Sequence, residues 1–440
     1  MQTHHPHHPH HTLARSPLRS LVPPLRAVAV VGALVAAGLA LAESSPYYVG
    51  VSQNFGHESN LLRLNEGATA PAGYSKADTV SSTSLLAGID QPFGRQRVRG
   101  DVALRAIRYS DNDVFNNQSY TANLVLDWET VNRLSGTLAG SANRSLSSFN
   151  RQDEQFLRDR NYEDSKTLDA TVRLGLVTQY SLLAGFNHRE VDNSLQLDSV
   201  QARNFRQDSA SLGLRWQPSS LITLGVGLRA SQGTYPKFLR QNNGNFLDDG
   251  YKRNEIDLTA DYRPTGQSTI AARISSGKTS YDRATQRNFD GVTGSLTWGW
   301  GVTGKLRLNS SLLRETGQDS TVTSRLTNAP TADYSRVSTT LRVAADWAAT
   351  SKIAVNASVA AGQRDLVGSV PINGVIRNAD GRERTTTFSV GARWAPTRNT
   401  LVGCNANTDR VSGSTSDNSV LALRNVKGNG ISCYGQITLQ

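Results

Sequence analysis

Arginine is the residue type in this sequence whose number and spacing could support the most chemistry. The chain carries 47 Lys and Arg residues, only eight of them Lys, and its formal net charge is +11. A guanidinium is planar and can bind a carboxylate or phosphate through two parallel hydrogen bonds. Ten arginines fall on the polar faces of segments with alternating polarity: Arg97, Arg99, Arg105, Arg173, Arg215, Arg229, Arg273, Arg307, Arg342 and Arg393.

These arginines share their polar faces with acidic residues, which leaves two interpretations open. The acids are Asp101, Asp127, Asp169, Asp257, Asp261 and Asp346. In the first interpretation, the two signs cross-link a polar interior through salt bridges. In the second, the arginines form a positive track, because a confined polar channel concentrates solutes of the opposite charge.

Residues that usually carry catalysis or bind metals are sparse. The sequence has no G-x-S-x-G, no H-E-x-x-H, no glycine-rich phosphate loop and no Cys/His metal spacing. Beyond the N-terminal 42 residues, the histidines are His57 and His188. A lipase built on a barrel needs a lipid-facing Ser/His arrangement, and His188 fits a residue at the membrane interface better. We therefore expect no enzyme, no cofactor and no metal site.

Two cysteines lie near the end of the sequence. Cys404 shares the apolar face of its segment with Val402, and Cys433 shares the apolar face of the last segment with Ile431. If the two segments form a hairpin, a cross-strand disulfide is geometrically possible, and an exported chain permits one. Two separate lipid-facing thiols are the alternative.

The first 42 residues have the pattern of a cleaved secretory signal peptide. A polar, basic stretch precedes the apolar run 27–42, which ends in Ala-Leu-Ala. A basic region, a short apolar region and a small-residue cleavage site define such a leader. We predict a signal peptide over 1–42 and one β-barrel domain over 43–440. Because the leader holds three arginines and no acid, the formal charge falls from +11 to +8 on cleavage.

Alternation with a period of two dominates the rest of the sequence. Residues 168–176 place Leu168, Val172 and Leu174 on one face, with polar residues between them. Segments 120–128, 222–230 and 337–347 repeat the pattern, and each has about the ten residues that a tilted strand needs to cross a bilayer. The sequence therefore predicts an all-β, transmembrane, antiparallel up-and-down β-barrel of about 18 strands, within a range of 16–18.

The connections between the predicted strands alternate in length. Short turns fall near 132–133, 218–220, 350–352 and 397–399, and long polar loops fall near 58–78, 146–166, 233–252, 317–333 and 365–383. Short periplasmic turns and long extracellular loops are typical of outer-membrane barrels. Strands begin within a few residues of Glu43, so we expect no plug domain, which argues against a TonB-dependent transporter.

A tryptophan recurs where a strand ends before a short turn. The set is Trp128, Trp216, Trp298, Trp300, Trp347 and Trp394, with Tyr180 and Tyr262 at related positions. Each aromatic residue lies on the apolar face. Because an indole is apolar but carries one N–H donor, Trp favours the membrane–water boundary. The repeat predicts a periplasmic aromatic girdle.

The sequence resembles the EpsL-like group of outer-membrane β-barrel proteins, which are encoded with exopolysaccharide biosynthesis operons. The resemblance is carried by the early strand 47–51, by Asn60-Leu61-Leu62-Arg63-Leu64, by Arg108-Tyr109-Ser110 and by repeated strand–Trp–turn–strand units such as 126–140. It covers the predicted mature chain and includes no catalytic signature. It implies a non-catalytic role in the export or surface delivery of a polysaccharide.

Three functions follow as expectations for a protein of the bacterial outer membrane. The first is a conduit or accessory protein for exopolysaccharide export. The second is a general diffusion porin for small anionic solutes, and the third is a structural or adhesive barrel whose loops do the work. The expected partners are outer-membrane lipid, an anionic polysaccharide and the export machinery, and nucleic acid is not among them.

Overall fold

The computed structural model describes residues 45–147, 160–177, 179–241, 243–321, 332–372, 375–416, 423 and 425–440. Eighteen β-strands run through these residues. They are β1 Tyr47–Glu58, β2 Asp78–Phe93, β3 Gln96–Tyr109, β4 Asn117–Glu129, β5 Leu134–Leu146, β6 Tyr162–Val177, β7 Tyr180–Asn193, β8 Phe205–Trp216, β9 Ile222–Arg240, β10 Phe246–Thr265, β11 Ser268–Tyr281, β12 Phe289–Gly301, β13 Leu306–Thr321, β14 Ala332–Trp347, β15 Ile353–Ile372, β16 Val375–Trp394, β17 Thr400–Thr415 and β18 Val426–Leu439.

The strands close into a single barrel. Each strand pairs antiparallel with its neighbours in sequence, and β1 also pairs with β18, from Val49↔Leu439 to Glu58↔Gly430. Closure pairs the first strand with the last, so neither terminal strand leaves a free edge in the bilayer. The predicted all-β, antiparallel barrel of 18 strands is confirmed. The predicted signal peptide over 1–42 lies outside the described residues and stays a prediction.

The outward face of the barrel is apolar around its circumference. Large apolar side chains exposed on it include Leu85, Leu104, Leu124, Leu168, Leu212, Leu228, Ile256, Ile274, Leu341, Phe388 and Ile431. Water-soluble proteins rarely expose a continuous apolar surface of this extent, so the belt is the surface that faces lipid. Among the described residues, no helix is long and apolar enough to span a membrane.

Two predicted extracellular loops prove to be mostly strand. The loops predicted at 233–252 and 365–383 are occupied largely by the ends of β9 and β10 and of β15 and β16, while of the loop predicted at 317–333 only the residues in β13 and β14 are described. Strands β10, β15 and β16 have 20 residues each, about twice what a bilayer crossing needs. Beyond the membrane both faces of a strand meet water or polar neighbours, so the alternation that reveals a strand disappears while the backbone pairing continues.

The short connections, on the periplasmic side, brace one another through basic side chains. Lys352 Nζ donates to the carbonyl of Pro396 in the next turn, at 2.9 Å. Arg95 donates in the same way to Thr130 at 3.2 Å. These bonds are exposed to solvent, so each adds little stability.

The extracellular end holds small buried cores. The loop 59–77 packs Leu61, Leu62 and Leu64 against Phe115, and all four side chains are buried. The amide of Asn60 accepts the N–H of Leu64 at 2.9 Å and donates to the carbonyl of the same residue at 2.8 Å. It also donates to Lys427 on β18, so the loop is fastened across the closure of the barrel.

Arg63, within this loop, adopts a left-handed backbone with φ of 53°. That conformation is strained for a residue with a side chain, and the surrounding contacts hold it. One of those contacts is an ion pair between its guanidinium and Asp409 on β17. The Asn60–Leu64 stretch that carries the family resemblance therefore forms a cap joined to the last two strands.

A repeated asparagine closes four extracellular connections. In each, the amide oxygen of an Asn just before an even-numbered strand accepts a backbone N–H near the end of the strand before it. The pairs are Asn116 with Tyr109 at 2.7 Å, Asn204 with Asn193 at 2.8 Å, Asn288 with Tyr281 at 2.8 Å, and Asn425 with Gly413 at 3.1 Å. A side chain thus replaces the sheet partner that the backbone loses where the strands part.

Two of these connections carry a 3-10 helix, η1 (Asp113–Phe115) and η2 (Thr285–Arg287), and a third carries the short α-helix α1 (Asp198–Gln201). A fully buried carboxylate holds each 3-10 connection from the preceding hairpin. Asp78 accepts the backbone N–H of Asn112 at 2.9 Å, and Asp249 accepts that of Arg283 at 2.8 Å. The extracellular end is therefore fixed by buried polar bonds, which are costly to break.

Candidate functional site

The lumen face carries all ten arginines picked out in the sequence. Because side chains alternate along a strand, a residue next to an exposed, lipid-facing side chain points inward. Arg105 follows Leu104, Arg229 follows Leu228 and Arg393 precedes Trp394, and these three neighbours are exposed on the outside. The same parity holds for the other seven, so the arginines line the interior of the barrel.

Five of the ten arginines form salt bridges. Arg97 bonds Asp90 through two nitrogens, each 2.6 Å from a carboxylate oxygen, and Arg215 bonds Asp261 at 2.8 Å. Arg99 is paired with Asp127 on the adjacent strand. These three arginines therefore form salt bridges inside the barrel, as in the interpretation that the two signs of charge cross-link the interior.

The other two paired arginines belong to a compact cluster on β9, β10 and β11. Asp257 accepts from both Arg229 and Arg273 at 2.9 Å, and Glu255 accepts from Arg253 at 2.6 Å. The carboxylates of Asp257 and Glu255 are largely shielded from solvent, while the guanidinium groups are partly exposed. The cluster thus presents hydrogen-bond donors and acceptors of fixed position to the lumen.

The remaining five arginines have no carboxylate within 4.0 Å among the described residues; they are Arg105, Arg173, Arg307, Arg342 and Arg393. Asp346 lies opposite Arg307 in the β13–β14 register but lies within reach of Asn309 instead. Asp101 and Asp169 likewise accept from the amides of Asn123 and Asn187. Four of the five, all but Arg105, lie within a few residues of the periplasmic ends of their strands.

A cavity of about 500 Å³ opens into the lumen beside the β9–β11 cluster. Its lining includes Arg229, Arg253, Arg273 and Glu255 from that side, and residues 313–316 of β13 from the other. Arg253 donates to the hydroxyl of Thr316 at 2.8 Å, which joins β10 to a strand three places away. The sequence interpretation missed Arg253 and Glu255, although with Asp257 they form a run of charges at alternate positions that could have revealed them.

The tryptophans picked out in the sequence lie at the periplasmic ends of β4, β8, β12, β14 and β16. Trp216, Trp298, Trp300, Trp347 and Trp394 are exposed on the outer face, and Tyr180 stacks on Trp216 with ring centroids 6.4 Å apart. Trp128 instead covers Gly136, where an added Cβ would lie 2.6 Å from the indole ring. The aromatic residues therefore share one level of the barrel, at the boundary of the apolar belt.

Cys404 and Cys433 are direct partners in the β17–β18 register and are joined by a disulfide. Their Cα atoms are 4.0 Å apart, and both residues lie on the outer face. Because β17 and β18 form a hairpin, their pairing register alone brings the two cysteines opposite each other, and the disulfide follows from it. Of the two alternatives that the sequence leaves open, the structure has the disulfide.

His188 lies on the outer face, where its Nδ1 is 2.7 Å from a carboxylate oxygen of Asp208. Its neighbour in the register is the exposed Leu168, so it borders the lipid belt. Within the described part of the chain, no three His, Cys, Asp or Glu residues are grouped so that they could hold a metal ion.

No protein-family model and no curated protein sequence matches the chain. Solved structures with a similar fold include iron and copper transporters and a ferric enterobactin receptor. The FrpB iron transporter from Neisseria meningitidis is 10% identical, with 90% of this chain and 83% of that chain covered and a TM-score of 0.47. The ferric enterobactin receptor PfeA from Pseudomonas aeruginosa is 8% identical, with 90% and 82% covered and a TM-score of 0.43. The copper transporter OprC is 10% identical, with 90% and 82% covered and a TM-score of 0.45.

The class of the protein follows from its own geometry. A closed antiparallel barrel with an apolar outer belt, an aromatic level at one boundary and a charged interior is the structure that a membrane-spanning β-sheet adopts. The chain is a β-barrel protein of the bacterial outer membrane.

Proposed function

We propose that this barrel is a non-catalytic conduit for the export of an anionic exopolysaccharide. The observation that carries the proposal is the unequal distribution of charge along the lumen. Positive charge without a carboxylate partner is concentrated at the periplasmic end, where an exported polymer enters. The resemblance to the EpsL-like group supplies the class of substrate.

The periplasmic mouth is positive in both its lumen and its turns. Arg173, Arg307, Arg342 and Arg393 project inward there without an ion pair among the described residues. The short connections between strands hold no acidic residue, and their charged residues are Arg95, Arg133, Lys305, Lys352 and Arg398. A ring of one sign at a narrow polar mouth raises the local concentration of the opposite charge.

Toward the extracellular half, several lumen arginines are paired instead. Arg63 bonds Asp409, Arg364 bonds Glu383, and Arg253 bonds Glu255 at 2.6 Å. Net attraction for an anion therefore falls along the path from the periplasm outward. A gradient of this kind favours capture at the entrance and release at the exit, since conduction needs binding that is weak enough to leave.

The test replaces Arg173, Arg307, Arg342 and Arg393 together by Gln and measures ion selectivity of the purified barrel in planar bilayers. We expect the anion-to-cation permeability ratio to fall about threefold, because field focusing depends on the unpaired charges. The matched control is Arg206→Gln, which removes one positive charge from the outer wall. A ratio that is unchanged in the fourfold variant would contradict a positive entrance.

A second measurement decides what passes through. We would delete the gene, complement it with the natural or the fourfold variant sequence, and quantify secreted and surface polysaccharide. Loss of polymer that only the natural sequence restores supports export through the arginine entrance. Unchanged polymer together with altered selectivity indicates a porin for small anions, and a barrel without conductance indicates a structural role.

A further inference from the structure

The pairing between β12 and β13 stops halfway along the barrel wall. Their register runs from Gly294↔Arg314 to Gly301↔Arg307, eight pairs, fewer than between any other neighbouring strands. Residues 289–293 of β12 pair with β11 alone, and the part of β13 beyond Arg314 pairs with β14 alone. The extracellular half of the wall is thus split between these two strands, and we call this split the seam.

The seam arises because β13 leaves the wall and turns inward. Arg253 points into the lumen from β10 and bonds Thr316, although β11 and β12 separate the two strands in the sheet. The helix η2, at the top of β11, lies against β14. Both contacts place described residues of β13 and β14 on the lumen side of their neighbours in the wall.

The free edge of β12 lies beside the lipid belt. Val292, within the unpaired stretch, is 52% exposed on the outer face, and Leu312, just below the split, is 43% exposed. The carbonyl of Val292 is met by the guanidinium of Arg314 at 3.3 Å instead of by a strand. Backbone edges are not stable against lipid, so the seam must open onto a polar, hydrated space.

That space is the 500 Å³ cavity. Thr293, Gly294, Leu313, Arg314 and Thr316 line it, and these residues border the seam. Leu313 points inward and is 40% exposed, so an apolar side chain lies in the cavity next to the split. The cavity therefore borders the seam on one side and opens to the lumen on the other.

The cavity lining suits a sugar better than a phosphate. Its inward-facing charged side chains are Arg229, Arg253 and Arg273 with the carboxylates of Asp169, Glu255 and Glu315, so its charges balance. Amides and hydroxyls complete it, namely Asn187, Gln207, Thr171, Thr293, Ser209, Ser211, Ser231 and Ser295. Sugar hydroxyls both donate and accept, and such a mixed set of groups can satisfy them.

We infer that the seam is a lateral portal through which the cavity binds the sugar headgroup of an amphiphile whose acyl chain stays in the outer leaflet. The polar head occupies the cavity beside Arg273 and Thr293. The chain leaves between β12 and β13, along Leu313 and Val292. This site goes beyond the proposed conduit, because it is entered from the membrane and needs no flow along the barrel axis.

The portal is tested with a bimane fluorophore on Leu313→Cys in vesicles that contain phospholipid with a doxyl group on its acyl chain. The matched control is Thr387→Cys, which faces the lumen of the fully paired wall at a similar height. Because the native cysteines are joined in a disulfide, each variant offers one labelling site in the described part of the chain. We expect the lipid to quench the label at position 313 by about half and to leave the label at position 387 bright. Equal quenching at both positions, or none at position 313, would overturn the portal.

The ligand class is tested on the same labelled Leu313→Cys protein in lauryldimethylamine oxide. We expect dodecyl maltoside to shift the bimane emission with saturation, maltose to require at least about tenfold more, and Arg273→Gln to weaken the response about tenfold. Lipid quenching without a saturable response to dodecyl maltoside would overturn the sugar-headed ligand. These outcomes do not depend on Arg173, Arg307, Arg342 or Arg393, so failure of the portal and failure of the conduit are distinguishable.

Discussion

The two ends of the barrel are built by different means. At the periplasmic end, the connections have few residues, basic side chains brace neighbouring turns through exposed hydrogen bonds, and tryptophans mark the membrane boundary. At the extracellular end, strands run beyond the membrane, and buried Asp and Asn side chains fasten the connections around small apolar cores. The difference shows that backbone pairing alone is enough to hold the periplasmic end together. The extracellular end depends in addition on side chains that take the place of missing backbone partners.

Removing Asp78 should have the largest effect. Asp78→Ala leaves buried N–H donors of the β3–β4 connection, including that of Asn112, without their charged acceptor. Each such bond contributes about 1.5–3 kcal/mol, so we expect the free energy of unfolding to fall by about 4 kcal/mol. Urea titration of the barrel refolded in vesicles measures it. Asp111→Ala, at an exposed side chain, is the control, and equal losses in the two variants would remove the contrast between the ends.

The disulfide is the one strong side-chain link described in the periplasmic half, and its loss should have the second largest effect on stability. The double variant Cys404→Ala with Cys433→Ala frees a segment with a sequence separation of 29. The chain-entropy model puts the resulting loss of stability at about 3.5 kcal/mol. The same urea titration applies, with a reductant as the control, which should lower the stability of the natural protein and leave that of the double variant unchanged. A variant as stable as the natural protein would show that strand pairing alone secures β17 and β18.

The repeated asparagine gives a smaller, local effect. Asn288→Ala removes the acceptor for the N–H of Tyr281, a buried residue, and we expect a loss of about 1.5 kcal/mol. Limited proteolysis of the β11–β12 connection on intact cells should become faster. Asn243→Ala breaks a similar bond, to the N–H of Asn245, in an exposed turn and should leave cleavage unchanged. No difference between the two would mean that burial of the bond is unimportant.

The smallest effect is expected at the periplasmic turns. Lys352→Ala removes the exposed bond to Pro396, and the stability of the barrel should change by about 0.5 kcal/mol or less. Urea titration against the natural protein measures the change. A loss as large as that in Asp78→Ala would show that the two ends are held equally strongly.

The sequence was sufficient to predict the barrel because the lipid-facing residues obey one rule. Leu168, Val172 and Leu174 must alternate with inward residues wherever a strand crosses the membrane. The extended ends of β9, β10, β15 and β16 were predicted as loops, since that rule lapses outside the bilayer. The repeated asparagine does have a sequence signal that could have predicted it. The dipeptide Arg-Asn precedes β8 at 203–204, β12 at 287–288 and β18 at 424–425.

Whether each lumen arginine forms an ion pair could not be predicted from residue type and spacing. Arg215 and Arg307 lie in similar places near a periplasmic turn, yet Arg215 is paired with Asp261 and Arg307 has no ion pair among the described residues. Strand stagger decides which carboxylate comes within reach, and a sequence read strand by strand does not contain the stagger. The seam is hidden for the same reason, because it depends on a tertiary contact between Arg253 and Thr316.

The covalent link between β17 and β18 also bears on how the barrel closes. Strand β18 is the one that must find β1, which begins nearly four hundred residues earlier, and a slip of one residue in that encounter would turn its lipid-facing side chains inward. With Cys433 fixed opposite Cys404, the last strand arrives at β1 as half of a hairpin whose alignment is already set. The long-range search is thereby reduced from aligning a single flexible strand with β1 to docking a hairpin of fixed register onto it.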